Sequence, residues 1–136
     1  MLTEKDYCDK DLSLALKEAG YIGQGRCYYD LDKEPNKLRH FGIQVLTTRS
    51  AEALNFVLAV HLYDAQKWLR EDKGMHIEIN LQFLSEEKRW YWGFTIIYFD
   101  NPDLVTINGD YSSYEETLSE AIKEAVKILK NNGKAN

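Results

Sequence analysis

His76 to Phe83 alternates without interruption, with Ile77, Ile79, Leu81 and Phe83 on one side and His76, Glu78, Asn80 and Gln82 on the other. A period of two predicts a half-buried β-strand. Ser85-Glu86-Glu87-Lys88 is a polar connection, and Arg89 to Phe99 predicts the returning strand of a hairpin. If Leu84 opposes Arg89, then Phe83 meets Trp90, Leu81 meets Trp92, Ile79 meets Phe94 and Ile77 meets Ile96. Every pair on that face is apolar, and a slip of one residue would break them all. Trp90, Trp92 and Phe94 are therefore expected to build core. The opposite face carries His76, Glu78, Asn80, Gln82, Tyr91 and Thr95.

Elsewhere the pattern is mostly helical. Leu12, Ala15, Leu16 and Ala19 keep a 3,4 spacing that predicts a short helix over 11–19, capped by Asp9 or Asp11. Gly20 then sits where the chain must turn left-handed, with Tyr21 or Ile22 folding back as the apolar contact. Residues 21–39 carry weak signals, and His40 to Thr47 alternates as a strand. From about Ala51 to Asp72, Leu54, Val57, Leu58, His61, Ala65, Trp68 and Leu69 predict one long helix, with Thr48 or Ser50 as its cap and Gly74 as its stop. Asp100 to Asp103 is a turn, and Val105 to Asn108 a candidate third strand. Tyr114 to about Lys130 predicts the last helix: Leu118, Ala121, Ile122, Ala125, Ile128 and Leu129 form its stripe. Ser112 with Glu115, or Ser113 with Glu116, suits a capping box, and fraying is expected from Gly133 onward. The class is α+β. One antiparallel sheet (the hairpin 76–99 plus flanking strands) is expected under a long central helix and a C-terminal helix packed on one face. A single domain is expected over 1–136: a helical segment 9–20, the weakly specified 21–39, and a core 40–131.

Composition agrees with a globular chain: 136 residues, 44% hydrophobic and 29% charged. The formal charge of −5 disfavours a basic groove that tracks phosphates, so nucleic acid is an unlikely partner, though not excluded. Cys8 and Cys27 are too few for a disulfide scaffold and read as reduced thiols. No signal peptide is visible. The longest apolar candidate, Ala51 to Leu62, is broken by Glu52, Asn55 and His61, so no membrane span and a cytoplasmic setting are expected.

Candidate chemistry is sparse. Gly23-Gln24-Gly25 follows a helix rather than a strand and reads as a turn, not a phosphate loop. His40, His61 and His76 lack metal-ligand spacing to one another or to a Cys, and no metal or cofactor is expected. His61, on the apolar stripe of the long helix, is either a satisfied core histidine or an acid–base group. His76 beside Glu78 could serve as a general base, although alternating polar residues usually face water on a half-exposed sheet. Tyr91 with Arg89 and Lys88 is the outward remnant of an aromatic stacking platform.

Two segments carry a resemblance: Ala65-Gln66-Lys67-Trp68-Leu69-Arg70-Glu71 with Gly74-Met75-His76-Ile77-Glu78-Ile79, and Ser113-Tyr114-Glu115-Glu116-Thr117-Leu118 with Ala121-Ile122-Lys123-Glu124-Ala125. Together with Leu12 to Tyr21, the chain resembles a group of small uncharacterised proteins of phages, prophages and other mobile elements of gut bacteria. That resemblance assigns no activity and no residue a role. The expected function is a small non-catalytic accessory protein with a protein partner or self-association, using the outer sheet face His76, Glu78, Asn80, Gln82, Tyr91 and Thr95 or a sheet edge. The alternatives are a nucleic-acid-associated module and a small enzyme centred on His61 or on His76 with Glu78.

Overall fold

The structure, a computed structural model, describes residues 3–42, 44–100 and 104–132. Ile43, the turn positions Asn101, Pro102 and Asp103, and the expected fraying from Gly133 lie outside the described residues. The chain divides into two compact units: residues up to His61 together with those from Ile128, and Leu62–Lys127.

In the first unit, α1 (Lys10–Glu18) begins where Asp9 Oδ1 accepts from the Leu12 amide at 2.8 Å. It ends as expected at Gly20, whose φ of +104° only glycine adopts freely. The Tyr21 amide donates to the Leu16 carbonyl at 2.9 Å and the Gly20 amide to Lys17 at 3.0 Å, and the Tyr21 ring folds back into the core. Short strands follow: β1 (Gln24–Gly25), β2 (Cys27–Asp30), β3 (Arg39–His40) and β4 (Leu46–Thr47). β1 pairs with β4, and β2 with β3. The strand expected over 40–47 is therefore split between two sheets, because Gly42 at φ +79° leaves the extended region.

The long helix expected over 51–72 is also divided. α2 (Thr48–Ala53) is capped by Thr47, whose Oγ1 accepts from the Ser50 amide at 3.0 Å. Asn55 then takes φ +60°, a conformation asparagine tolerates better than most side chains. Phe56–Leu58 forms β5, antiparallel to β2, with Tyr29 opposite Val57. The 3,4 coincidences that pointed to a helix are overridden by an unbroken apolar run, Phe56 to Val60. Its β-branched residues suit a strand covered on both faces. Cys27, Tyr29, Val57 and Ala59 make a core cluster there, with Tyr7, Leu14, Leu31 and Leu38 packed around it.

The second unit contains α3 (Leu62–Asp72), β6 (Met75–Leu84), β7 (Arg89–Tyr98), β8 (Leu104–Tyr111) and α4 (Tyr114–Asn131) as far as Lys127. α3 keeps the end of the expected stripe: Ala65, Trp68 and Leu69 are buried, and Leu62 joins them. The three strands form one antiparallel sheet in the order β6-β7-β8, with a bulge between Trp92 and Gly93 where β7 meets β8. The hairpin register is the expected one throughout, from Leu84 opposite Arg89 to Ile77 opposite Ile96. α4 packs against a sheet, and Tyr114 at its start meets the Trp92 ring edge-on at 5.9 Å. The Ser113 cap forms, but the return bond from Glu116 reaches Ser112 rather than the Ser113 amide, so the expected box closes one residue early. Ser113 Oγ accepts from the Glu116 amide at 3.1 Å, and the Glu116 carboxylate accepts from the amide and hydroxyl of Ser112. Those bonds hold the Glu116 carboxyl below its ordinary pKa. The α+β class thus stands, with a C-terminal helix on a sheet.

Candidate interaction surface

The outer face of the hairpin brings together the residues expected on it. Glu78 opposes Thr95, Asn80 opposes Gly93, Gln82 opposes Tyr91, and His76 opposes Ile97. Much of its polarity is satisfied internally. Asn80 Nδ2 donates to Thr95 Oγ1 at 3.0 Å, and that hydroxyl lies 3.2 Å from Thr106 Oγ1, giving a cross-strand polar ladder. Arg89 donates to the Tyr91 hydroxyl at 2.6 Å and places its guanidinium over the Tyr91 ring at 4.1 Å. It also bridges Glu87 at 3.5 Å and Asp110 at 3.2 Å, so the cation that a stacking platform would offer to phosphates is held by two carboxylates. Gln82, Leu84, Glu87, Tyr91, Gly109 and Asp110 line an open depression of about 340 Å³.

His76 stacks on Phe99 with ring centroids 6.4 Å apart, and its Nδ1 has no hydrogen-bond partner among the described residues. The ring it stacks on is thus Phe99, whereas Glu78 is exposed two positions along the same strand. His61 is not on a helix. It follows β5, bridges to Tyr7 in antiparallel fashion and meets the Tyr7 ring edge-on at 5.4 Å.

The sequence did not reveal one pair. The register of β2 and β3 sets Cys27 opposite His40, with Sγ 3.5 Å from Nδ1. Thirteen residues separate them along the chain, and strands this short leave no periodic signal. Cys27 is only 2% exposed, and the Cys8 thiol is likewise buried. Such thiols pack as small apolar groups rather than meet a substrate. Beside them Tyr29 donates to the Cys8 carbonyl at 2.7 Å, and burial, reinforced by Asp9, pushes its phenol well above the usual range. No cluster of three or more His, Cys, Asp or Glu able to hold a metal occurs among the described residues.

The other face holds the larger surprise. Ile77, Phe94 and Ile96 are buried as expected, together with Met75, but Trp90 is 60% exposed and Leu81 and Phe83 are each 47% exposed. Trp90, expected to build core, instead stands in solvent with Phe83, their rings 5.2 Å apart. The helical cover does not extend over them. Strands of ten residues reach roughly 33 Å, whereas α3, which packs on β6, reaches only about 16 Å over its eleven residues. The cover stops near Trp92, and the alternation continues past it.

The fold and surface thus define an α+β protein with a partly uncovered hairpin. No protein-family model and no curated protein matches the chain. No helix among the described residues is long and apolar enough to cross a membrane.

Proposed function

We propose that this chain is a small non-catalytic accessory protein that holds another polypeptide chain against the uncovered end of its β6–β7 hairpin. The observation that carries this reading is the cluster Leu81, Phe83 and Trp90, solvent-exposed on one face of an ordered sheet. Aromatic and aliphatic side chains gathered in this way are the usual anchors of protein recognition. A cytoplasmic setting belongs to the same reading and accords with the lack of a membrane-crossing helix among the described residues, and an origin on a mobile element rests on the sequence resemblance.

The test is a tagged pull-down from host lysate, with and without nuclease, comparing the parent chain with Trp90→Ser. The expected result is a protein bound regardless of nuclease and lost from the variant. A catch that disappears with nuclease would favour the nucleic-acid reading, and a catch unchanged by Trp90→Ser would place the surface elsewhere.

A further inference from the structure

β6 is one of the two edge strands of its sheet, and the direction of its backbone groups follows from the ladder. The Phe99 amide donates to the Gly74 carbonyl at 3.0 Å, in register with the pairs that follow. Because antiparallel pairs alternate, His76, Glu78, Asn80, Gln82 and Leu84 exchange backbone bonds with β7. Met75, Ile77, Ile79, Leu81 and Phe83 then direct their N–H and C=O groups outward. Gln66 of α3 agrees with this assignment, since its Nε2 donates to the Ile77 carbonyl at 3.1 Å and so closes the edge at that point. At the other end the turn begins, with the Glu87 amide on the Leu84 carbonyl at 3.2 Å. Among the described residues, Ile79, Leu81 and Phe83 are left open between these two closures. Natural sheets blunt such edges with Lys, Pro or a bulge. Residues 79–84 contain no charge and no proline, and the register of β6 is unbroken.

Resting on the interaction reading above, we infer that the polypeptide closing this edge is a second copy of the chain, β6 against β6 about a two-fold axis through Leu81. The segment Ile79-Asn80-Leu81-Gln82-Phe83 is palindromic in type: apolar, amide, leucine, amide, apolar. In an antiparallel pairing centred on Leu81, Ile79 meets Phe83 of the second copy and Leu81 meets its own equivalent. Each open N–H and C=O finds a partner. The apolar faces fall on the same side, so Leu81, Phe83 and Trp90 of both copies form one surface. On the opposite side the Asn80 amide meets the Gln82 amide, and Glu78 meets Leu84.

The neighbouring registers fail. Centring on Asn80 requires the Ile77 carbonyl, which Gln66 already occupies. Centring on Gln82 sets Ile79 against Ser85, which lies in the turn beyond β6, so the open groups of Ile79 lose their strand partner. An intermediate register opposes apolar to polar faces. The seam is small beside the roughly 800 Å² per partner of a standard interface, so the association is weak and concentration-dependent. Two chains of charge −5 repel around an uncharged seam, so salt strengthens the dimer.

Sedimentation velocity of the full chain from micromolar to millimolar concentration tests this. The expected result is a reversible monomer–dimer equilibrium whose dissociation constant Leu81→Lys raises by at least about tenfold, because each copy loses an apolar side chain from the seam. Under mild oxidation Leu81→Cys should give a covalent dimer, since directly opposed residues of such a pair lie within disulfide reach. Phe83→Cys, facing Ile79, should not. A parent chain that stays monomeric throughout, or a dimer indifferent to Leu81→Lys, overturns self-pairing. If the chain is monomeric while Trp90→Ser still abolishes capture of a foreign protein, self-pairing fails and the interaction reading survives. If neither occurs, both fall.

Discussion

The two halves of the β6–β7 hairpin obey one alternation and meet different fates. Met75, Ile77, Phe94 and Ile96 are buried near the sheet's start, whereas Leu81, Phe83 and Trp90 near the turn are exposed. Register and side-chain chemistry are continuous across the boundary. What changes is the cover: α3 packs on β6, α4 begins beside Trp92, and neither buries Trp90. Alternation therefore decides which face a residue occupies. The reach of the opposing helices decides whether that face is core or solvent-exposed.

The sharpest way to break this comparison is truncation on each side of the boundary. Phe94→Ala should cost about 3–5 kcal/mol in urea unfolding, the usual range for an aromatic deleted from a packed core. Trp90→Ala should cost less than about 1 kcal/mol under conditions where the chain is monomeric, because little burial is lost. Equal costs at the two positions would mean that the distal half is covered in solution. The next effect concerns the cover itself. Ser113→Ala removes the α4 cap and should destabilise by about 1 kcal/mol, read from the same unfolding curves.

A smaller effect is set by pH. Glu116 keeps its charge to lower pH when folded than when unfolded, since Ser112 bonds to its carboxylate. Its contribution is complete above the unfolded carboxyl range, and fades as pH falls through that range toward the folded value. Acid unfolding of Glu116→Gln should accordingly show a shallower loss of stability over that window than the parent. The smallest effect is a control in the first unit. Burial raises the Tyr29 phenol, so stability should fall as pH climbs past the ordinary tyrosine range, where the unfolded chain ionises first. Tyr29→Phe should lessen that alkaline loss while leaving the hairpin's behaviour unchanged.

Much of the second unit was legible in the sequence. Alternation fixed the hairpin pairs, and the cap on Ser113 and Glu116 had the spacing its chemistry requires. The turn at Gly20 was legible for the same local reason. Non-local features were not. Phe56 to Val60 is apolar without a period, and only pairing with β2 makes it a strand. Cys27 and His40 meet through two short strands with no pattern of their own. The exposure of Trp90 depends on where α3 and α4 stop over the sheet, which the strand's own residues do not encode. The outer-face residues His76, Glu78, Asn80, Gln82, Tyr91 and Thr95 were correctly grouped. Asn80, Tyr91 and Thr95 bond to other residues of the sheet, so much of that face's polarity is already satisfied.

The most direct measurement is amide hydrogen exchange, resolved by residue, over a range of protein concentrations. Asn80 and Gln82, bonded to β7, should be protected at every concentration. Ile79, Leu81 and Phe83 should exchange freely when dilute and gain protection together as concentration rises. Free exchange of the Leu81 amide at the highest concentration, with Asn80 protected beside it, would contradict pairing at this edge.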